Sequence, residues 1–185
     1  MTGSSATGRR RPPYAPAMLS RTLFSPEHDL FRESFRRFVE AEIAPHTEAW
    51  EQAGIVDKAM FRQAGANGFL GMEIPEALGG GGVDDFRFNV IINEEIQRAG
   101  AMASGMCITL HNDICLPYFT GLTNDEQKAR WLPGIASGEL MTAVAMTEPG
   151  TGSDLAGIRT TAIRDGESYV LNGAKTFITN GINAD

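Results

Sequence analysis

From residue 25 to residue 138, apolar side chains recur every three or four positions, the spacing that places them on one face of an α-helix. Residues that favour helix starts precede these runs, with capping side chains followed by acids in the first turn. The predicted helices begin at or beside Ser25-Pro26, Asp57, Asp84-Asp85, Met102 and the capping-box sequence Thr123 to Glu126. Gly138 closes the last of them. The pattern therefore predicts about five or six helices.

At Met141 the pattern changes from helical to extended. Four strands are predicted, at residues 141–147, 158–164, 169–171 and 175–179, and the turn pairs between and after them are Asp165-Gly166, Asn172-Gly173 and Asn180-Gly181. Four strands without closing partners would leave sheet edges open. The predicted fold class is therefore α+β: an N-terminal all-α helical domain over residues 25–138, followed by an incomplete antiparallel β-domain over residues 139–185.

The chain before these elements has a different composition. No acidic residue occurs between Met1 and Pro26, and four arginines stand among Ser, Thr, Gly and Pro. We interpret residues 1–24 as a disordered tail, which favours a cytoplasmic protein. The alternative is a transit peptide, which would direct the protein to the mitochondrial matrix.

Charge and composition exclude several classes of function. The 185-residue chain has a formal net charge of -7 and no block of Lys and Arg, so a nucleic-acid surface is not expected. No apolar run is long enough to cross a membrane. The two cysteines, Cys107 and Cys115, lie in one apolar segment, where buried unpaired thiols are expected.

Few side chains offer an independent case for catalysis. His28, His46 and His111 have no partners at metal-ligand spacing, so we predict no metal site. Glu94 and Glu95 are adjacent carboxylates, but successive helical residues point to different faces. Solvated or capping roles are expected for both, and no catalytic residue is assigned.

A glycine-rich loop follows the first predicted strand, with the sequence Thr147-Glu148-Pro149-Gly150-Thr151-Gly152-Ser153-Asp154. Its glycines would let the backbone approach a ligand, and Ser153 could donate a hydrogen bond to a phosphate oxygen. Composition alone favours an ordinary glycine turn over a phosphate cradle.

Two longer segments change that interpretation. They are the run from Ala143 to Leu155, AVAMTEPGTGSDL, and the run from Leu171 to Gly181, LNGAKTFITNG. Together and at this spacing they resemble the signature of the acyl-CoA dehydrogenase family. The segments Ile74-Pro75-Glu76-Ala77-Leu78-Gly79-Gly80 and Glu94-Glu95-Ile96 are similar to the family as well. The resemblance covers nearly all of the chain after residue 22, and it implies a β-domain of the acyl-CoA dehydrogenase type.

The resemblance implies an FAD cofactor and an acyl-CoA substrate. The strand 144–147 would run beside the flavin ring, the glycine loop would lie near the pyrophosphate and the thioester, and Thr179 would donate to the flavin nitrogen that receives hydride. The implied cofactor-binding residues are Val144, Met146, Thr147, Gly152, Ser153, Phe177, Ile178 and Thr179, with Ser153 also implied in substrate binding. Many family members have Trp where this chain has Phe177, which keeps the stacking surface but loses a donor. Plain core packing is the alternative role for Phe177.

The implied reaction is α,β-dehydrogenation of an acyl-CoA thioester to a trans-2-enoyl-CoA. In the family a Glu of the C-terminal helical domain takes the proton, and the chain is expected to stop before it. We expect a fragment of a complete enzyme, inactive alone, rather than a natural half or a degenerate remnant. The resemblance further implies an electron-transferring flavoprotein as acceptor and a homo-oligomer, tetramer or dimer. The alternatives are a non-catalytic or half-enzyme subunit of a heteromeric dehydrogenase and a flavin oxidase or monooxygenase of the same fold.

Overall fold

The computed structural model describes residues 21–185, so most of the predicted tail lies outside the described residues. Seven α-helices occupy this part of the chain: α1 (Pro26–Phe38), α2 (Thr47–Ala53), α3 (Lys58–Ala66), α4 (Arg87–Arg98), α5 (Met102–Thr109), α6 (Leu116–Leu122) and α7 (Asp125–Ser137). Two strands follow, β1 (Thr161–Asp165) and β2 (Ser168–Asn172). The predicted α+β class is confirmed, with the helices preceding a short antiparallel sheet.

Sequence signals located most helix starts correctly. Ser25 precedes α1, and the Asp57 side chain caps α3 by accepting a hydrogen bond from the amide of Ala59 at 2.8 Å. The predicted start of α7 was one residue early. Asn124 is the cap, and it forms the capping box with Gln127 because the two side chains and two amides bond reciprocally, at 2.9 and 3.0 Å.

The predicted helices differ from the observed ones in two places. Helix α2 was not predicted, since it follows Pro45 without a side-chain cap. The single helix predicted from Met102 is instead α5 and α6, joined by a π-helical segment at Leu110–Cys115. A similar segment, Val39–Ile43, prolongs α1. Such π segments are a single turn or so long, which is too short for the spacing of apolar residues to distinguish them from the α-helix around them.

Two apolar clusters hold the helical domain together. In the main cluster α1, α3, α4 and α5 surround the aromatic side chain of Phe69, which contacts Phe31, Phe35 and Phe38 with ring centroids 4.9 to 5.6 Å apart. The second cluster lies under α6 and α7 and consists of Ile74, Leu116, Leu132, Ile135 and Ala136. Burial of these side chains stabilises the fold that positions the following residues.

The β-region has fewer strands than predicted. β1 and β2 pair in antiparallel register, with Thr161 opposite Asn172 and Asp165 opposite Ser168. Gly166, with φ of +60°, takes the left-handed position of the two-residue turn. The segments 141–147 and 175–179 were expected to be strands, but they form none in the described chain. They are irregular because a strand requires a ladder of backbone bonds, and a single backbone bond joins them here.

Both cysteines are buried and unpaired, as predicted. Burial raises the pKa of the Cys107 thiol to about 12 and also raises the pKa of Cys115. We therefore expect neither thiol to react with a thiol-specific reagent at neutral pH in the native protein. Both should react after unfolding in denaturant. Labelling of either cysteine in the native chain would contradict this burial.

Candidate functional site

The two segments of the family signature lie side by side in the structure. The amide of Thr176 donates to the carbonyl of Thr147 at 3.0 Å. One residue earlier, the ammonium of Lys175 donates to the carbonyl of Met146 at 2.9 Å. The tertiary structure therefore brings residues 144–147 next to residues 177–179, which are separated by about thirty positions in the sequence.

Several backbone donors of these segments are free. Within residues 21–185, the amides of Val144, Met146, Thr147, Ile178 and Thr179 donate no hydrogen bond to another protein group. The five residues are partly buried, and no group in the described chain accepts a hydrogen bond from their amides. Unpaired amides along an irregular segment are well suited to bind the polar edge of a ligand, because they would otherwise require water.

The glycine loop is open to solvent. The amide and carbonyl of Glu148 exchange hydrogen bonds with those of Thr151 at 2.9 and 3.1 Å, which forms a tight turn. Gly152 and Ser153 are exposed after it, and a Cβ atom added to Gly152 would contact nothing within 4 Å. The packing of the described chain therefore does not require glycine there. No hydrogen bond joins Gly152 or Ser153 to residues 177–179.

Glu148 is a buried carboxylate inside this loop, 7% exposed. It accepts hydrogen bonds from the amides of Arg159 and Thr160 at 2.8 and 2.9 Å and forms an ion pair with Lys175 at 3.0 Å. Hydrogen bonds with Thr160 and Arg159 lower its pKa to about 2. Glu148 is therefore a charged anchor for the loop.

Phe177 has an unusual position for a large aromatic residue. Its side chain is 91% exposed and belongs to neither apolar cluster, so core packing does not explain it. Its backbone is left-handed, with φ of +55°, a conformation that costs a non-glycine residue about 1 kcal/mol or more. An exposed aromatic ring on a strained backbone is suited to stack on a flat ligand.

A cavity of about 380 Å³ lies behind the second segment. Thr179 and Ile178 line it on one side and α5 on the other, with the end of α2 as a third wall. Ser104 of α5 is 2% exposed, and its hydroxyl has no hydrogen-bond partner in the described chain. The cavity thus connects the helical domain with the segment that carries Thr179.

The expected solvated or capping role of Glu95 was wrong. Its side chain is 2% exposed and accepts hydrogen bonds from Arg32, Arg36 and Arg98 at 2.7 to 3.1 Å. Glu94 is 30% exposed and pairs with Arg21 and Arg32. Glu95 therefore ties α1 to α4, and its carboxylate is not free for proton transfer.

His111 has a structural role at the junction of the helical domain and the β-region. Its Nε2 lies 3.1 Å from the carbonyl of Ile135, and its Nδ1 lies 2.7 Å from the hydroxyl of Thr142. Burial lowers the pKa of this imidazole to about 4, so it is neutral at physiological pH. A neutral ring that donates through Nε2 and accepts through Nδ1 satisfies both contacts.

The described chain has neither a metal-binding cluster nor a membrane-spanning helix. Between residues 21 and 185, no three His, Cys, Asp or Glu side chains are grouped so that they could hold a metal ion. No helix in the same range is sufficiently long and apolar to cross a bilayer.

Sequence reasoning missed three side chains that organise the site, namely Glu148, Lys175 and Asn180. All three lie within the two signature segments. The opposite charges of Glu148 and Lys175 were the one sequence signal that could have suggested an ion pair between them. Their pairing could not be inferred because the fold of the intervening residues determines it.

Family models match almost all of the described chain. The family model described as acyl-CoA dehydrogenase, N-terminal domain, matches residues 25–139, and the model described as acyl-CoA dehydrogenase, middle domain, matches residues 143–185. Among curated proteins, the mitochondrial long-chain specific acyl-CoA dehydrogenase of Sus scrofa is 44% identical over 161 residues. That match covers 87% of this chain and 37% of the relative.

Solved structures give the same result. The crystal structure of an acyl-CoA dehydrogenase from Geobacillus kaustophilus superposes with a TM-score of 0.83 at 49% identity, covering 89% of this chain and 42% of that one. An acyl-CoA dehydrogenase from Bacillus anthracis complexed with FAD superposes with a TM-score of 0.76 at 37% identity, covering 86% of this chain and 27% of that one. The chain spans less than half the length of these relatives. By its two matched domains and its fold, it belongs to the acyl-CoA dehydrogenase family.

Proposed function

We propose that this chain forms the FAD-facing part of an enzyme that oxidises an acyl-CoA thioester to a trans-2-enoyl-CoA. The observation that carries the proposal is the pairing of the two signature segments, which places free amides and an exposed aromatic ring beside each other. The related enzyme from Bacillus anthracis is complexed with FAD. The open space at Gly152 and the free donors of residues 144–147 fit such a cofactor.

In this proposal each segment has a separate task. Val144, Met146 and Thr147 would bind the edge of the flavin ring through their amides and the Thr147 hydroxyl. Gly152 and Ser153 would hold the pyrophosphate, and Ser153 would also contact the thioester. Phe177 and Ile178 would contact the ring, and the Thr179 hydroxyl would donate a hydrogen bond to it. FAD, when bound, supplies the acceptor for the hydride that leaves the substrate.

The proton of the same reaction requires a carboxylate. Glu95 is held in ion pairs by three arginines, and Glu148 is bonded to two amides and Lys175. Neither is available as a base. As the family resemblance implies, we propose that the base lies in the C-terminal helical domain of the family, outside residues 21–185. The same proposal includes an electron-transferring flavoprotein as acceptor and a homo-oligomeric complete enzyme.

Anaerobic mixing of the complete, FAD-loaded enzyme with a saturated acyl-CoA tests this function. Bleaching of the oxidised flavin and formation of the enoyl-CoA product are expected. Reoxidation of the reduced flavin should be slow in oxygen and fast with an electron-transferring flavoprotein. Rapid reaction with oxygen would support the oxidase or monooxygenase alternative instead. Flavin that stays oxidised with every saturated acyl-CoA would contradict the dehydrogenase proposal.

Thr179→Val is expected to slow flavin reduction by about tenfold to 100-fold, the effect of losing one hydrogen bond to a group that gains charge. Stopped-flow absorbance after mixing with acyl-CoA measures the rate. Thr161→Val is the matched control, because Thr161 is exposed on β1 and has no assigned contact with the cofactor. Equal rates in the two variants would remove Thr179 from the proposed site.

A further inference from the structure

The second signature segment is held at both ends by side chains. At one end Lys175 contacts the carbonyl of Met146 at 2.9 Å and the carboxylate of Glu148 at 3.0 Å. At the other end the side-chain amide of Asn180 donates to the carbonyl of Thr142 at 3.1 Å and to that of Cys107 at 3.3 Å. The proposed flavin-facing residues 177–179 lie between these two attachments.

These side chains take the place of a strand ladder. The segments 142–148 and 175–180 run antiparallel, since Thr147 contacts Thr176 whereas Thr142 contacts Asn180. Only the bond between Thr147 and Thr176 joins their backbones in the described chain. A regular ladder would consume the amides that the site needs, whereas side-chain attachments at the ends leave them free.

Asn180 also connects the segment to the helical domain. Cys107 belongs to α5 and to the main apolar cluster, so the bond to its carbonyl fixes the segment against the helical domain. The backbone of Asn180 is left-handed, with φ of +65°, a conformation that Asn tolerates better than most residues. Its carbonyl accepts from the amides of Asn183 and Ala184 at 2.9 and 2.8 Å, which closes the following turn.

We propose that Lys175 and Asn180 are positioning residues, which together hold residues 177–179 at a fixed place beside residues 144–147. Neither needs to touch the cofactor. The significance for flavin binding rests on the proposed function, whereas the attachment of the segment can be tested without any cofactor.

The chain permits gentle variants of both residues. In Lys175→Met, Glu148 retains its two amide bonds from Arg159 and Thr160, so it is still satisfied. In Asn180→Gly, the left-handed backbone remains favourable while both side-chain bonds disappear. Lys175→Arg should restore part of the attachment. Lys128→Met, in α7 and without an ion pair in the described chain, is the control.

The first measurement is amide hydrogen exchange on the whole 185-residue chain. The Thr176 amide reports directly on the pairing of the two segments through its bond to Thr147. Lys175→Met and Asn180→Gly should each accelerate its exchange by at least about tenfold, because each variant loses two side-chain contacts and one hydrogen bond alone is worth about that factor. Amides in α4 should exchange as before. Unchanged exchange at Thr176 in both variants would overturn the proposal, as would equal acceleration in Lys128→Met.

The second measurement is FAD titration of the same proteins, followed by flavin fluorescence, together with urea unfolding of each. We expect FAD affinity to fall by about tenfold in both variants, with a partial return in Lys175→Arg and little change in the unfolding midpoint. A shifted midpoint with unchanged affinity would mean a merely structural role and would overturn the proposal. If the unaltered chain binds no FAD, the proposed cofactor site of this chain alone fails, and hydrogen exchange still decides the positioning role.

Discussion

Glu95→Gln should lower the free energy of unfolding of this chain by about 3 kcal/mol or more at neutral pH, since removing one partner of a buried ion pair usually costs about 3 to 5 kcal/mol. The Glu95 carboxylate is 2% exposed and accepts hydrogen bonds from Arg32, Arg36 and Arg98. Arg32 and Arg36 come from α1, whereas Arg98 ends α4. The neutral amide would keep the volume but lose the charge that holds the two helices together.

The pH dependence of stability gives a second test of the same site. Burial by itself raises the pKa of Glu95, but hydrogen bonds from Arg36, Arg98 and Arg32 outweigh it and lower the pKa from 4.5 to about 2. A depressed pKa in the folded state contributes stability above the unfolded pKa, and that contribution is lost as the pH falls from about 4.5 to 2. The shift corresponds to about 3 kcal/mol.

Urea unfolding of wild type and variant at neutral pH and across this acidic range measures both effects. The acid-dependent loss should be smaller in Glu95→Gln by about 3 kcal/mol. Glu94→Gln is the control, and it should cost less than about 1 kcal/mol because Glu94 is 30% exposed. An unaltered unfolding free energy in Glu95→Gln would show that the ion pairs do not stabilise the fold. A large loss of turnover in a stable, FAD-loaded enzyme would restore Glu95 as a catalytic candidate.

Gly65→Ala should destabilise the chain by about 2 kcal/mol or more, although alanine favours helices over glycine by about 1 kcal/mol. Gly65 lies in α3, where a Cβ atom would approach the carbonyl oxygen of Ser137 to 2.2 Å. The contact is with backbone at the end of α7, which cannot turn away as a side chain could. Gly138, at the end of α7, lies equally close to α3, since a Cβ atom added to it would lie 2.5 Å from the carbonyl oxygen of Phe61.

Gly121→Ala is the matched control for this substitution. Gly121 also lies in a helix, α6, but a Cβ atom there would meet nothing within 4 Å. Its replacement should stabilise the chain by about 0.5 to 1 kcal/mol through helix propensity alone. Thermal or urea unfolding of both variants gives the comparison. Similar effects of the two substitutions would mean that α3 and α7 are not packed this closely.

Local sequence signals located most of the helix starts because helix caps and turns act locally. The Asp57 side chain accepts a hydrogen bond from the amide two residues later, at the start of α3. Gly138 ends α7 with its own backbone in the left-handed conformation. The short errors arose where two local options compete. At the start of α7, both Thr123 and Asn124 could serve as the N-cap. In the structure Asn124 is the N-cap, and it forms the capping box with Gln127.

In the candidate site, too, the sequence predicted what depends on local residues and not what depends on distant ones. The signature segments could be recognised from residue identities, and so could the family and the predicted α+β class. Their free backbone donors could not, because the same segments were predicted to be strands. The burial of Glu95 could not, because it depends on arginines about sixty positions away in α1. Nor could the irregular backbone of residues 141–147 and 175–179, since strand formation depends on which neighbours supply a ladder.

The sequence by itself thus determined most of the helices, the end of the last one at Gly138, and the residues of the glycine loop. Only the tertiary structure decided that Lys175 meets Glu148, that Asn180 reaches α5, and that the Phe177 ring is exposed. The physical reason is the range of the interactions. Helix caps and turns act over a few residues, whereas ion pairs and close backbone contacts form between residues that only the completed fold brings together.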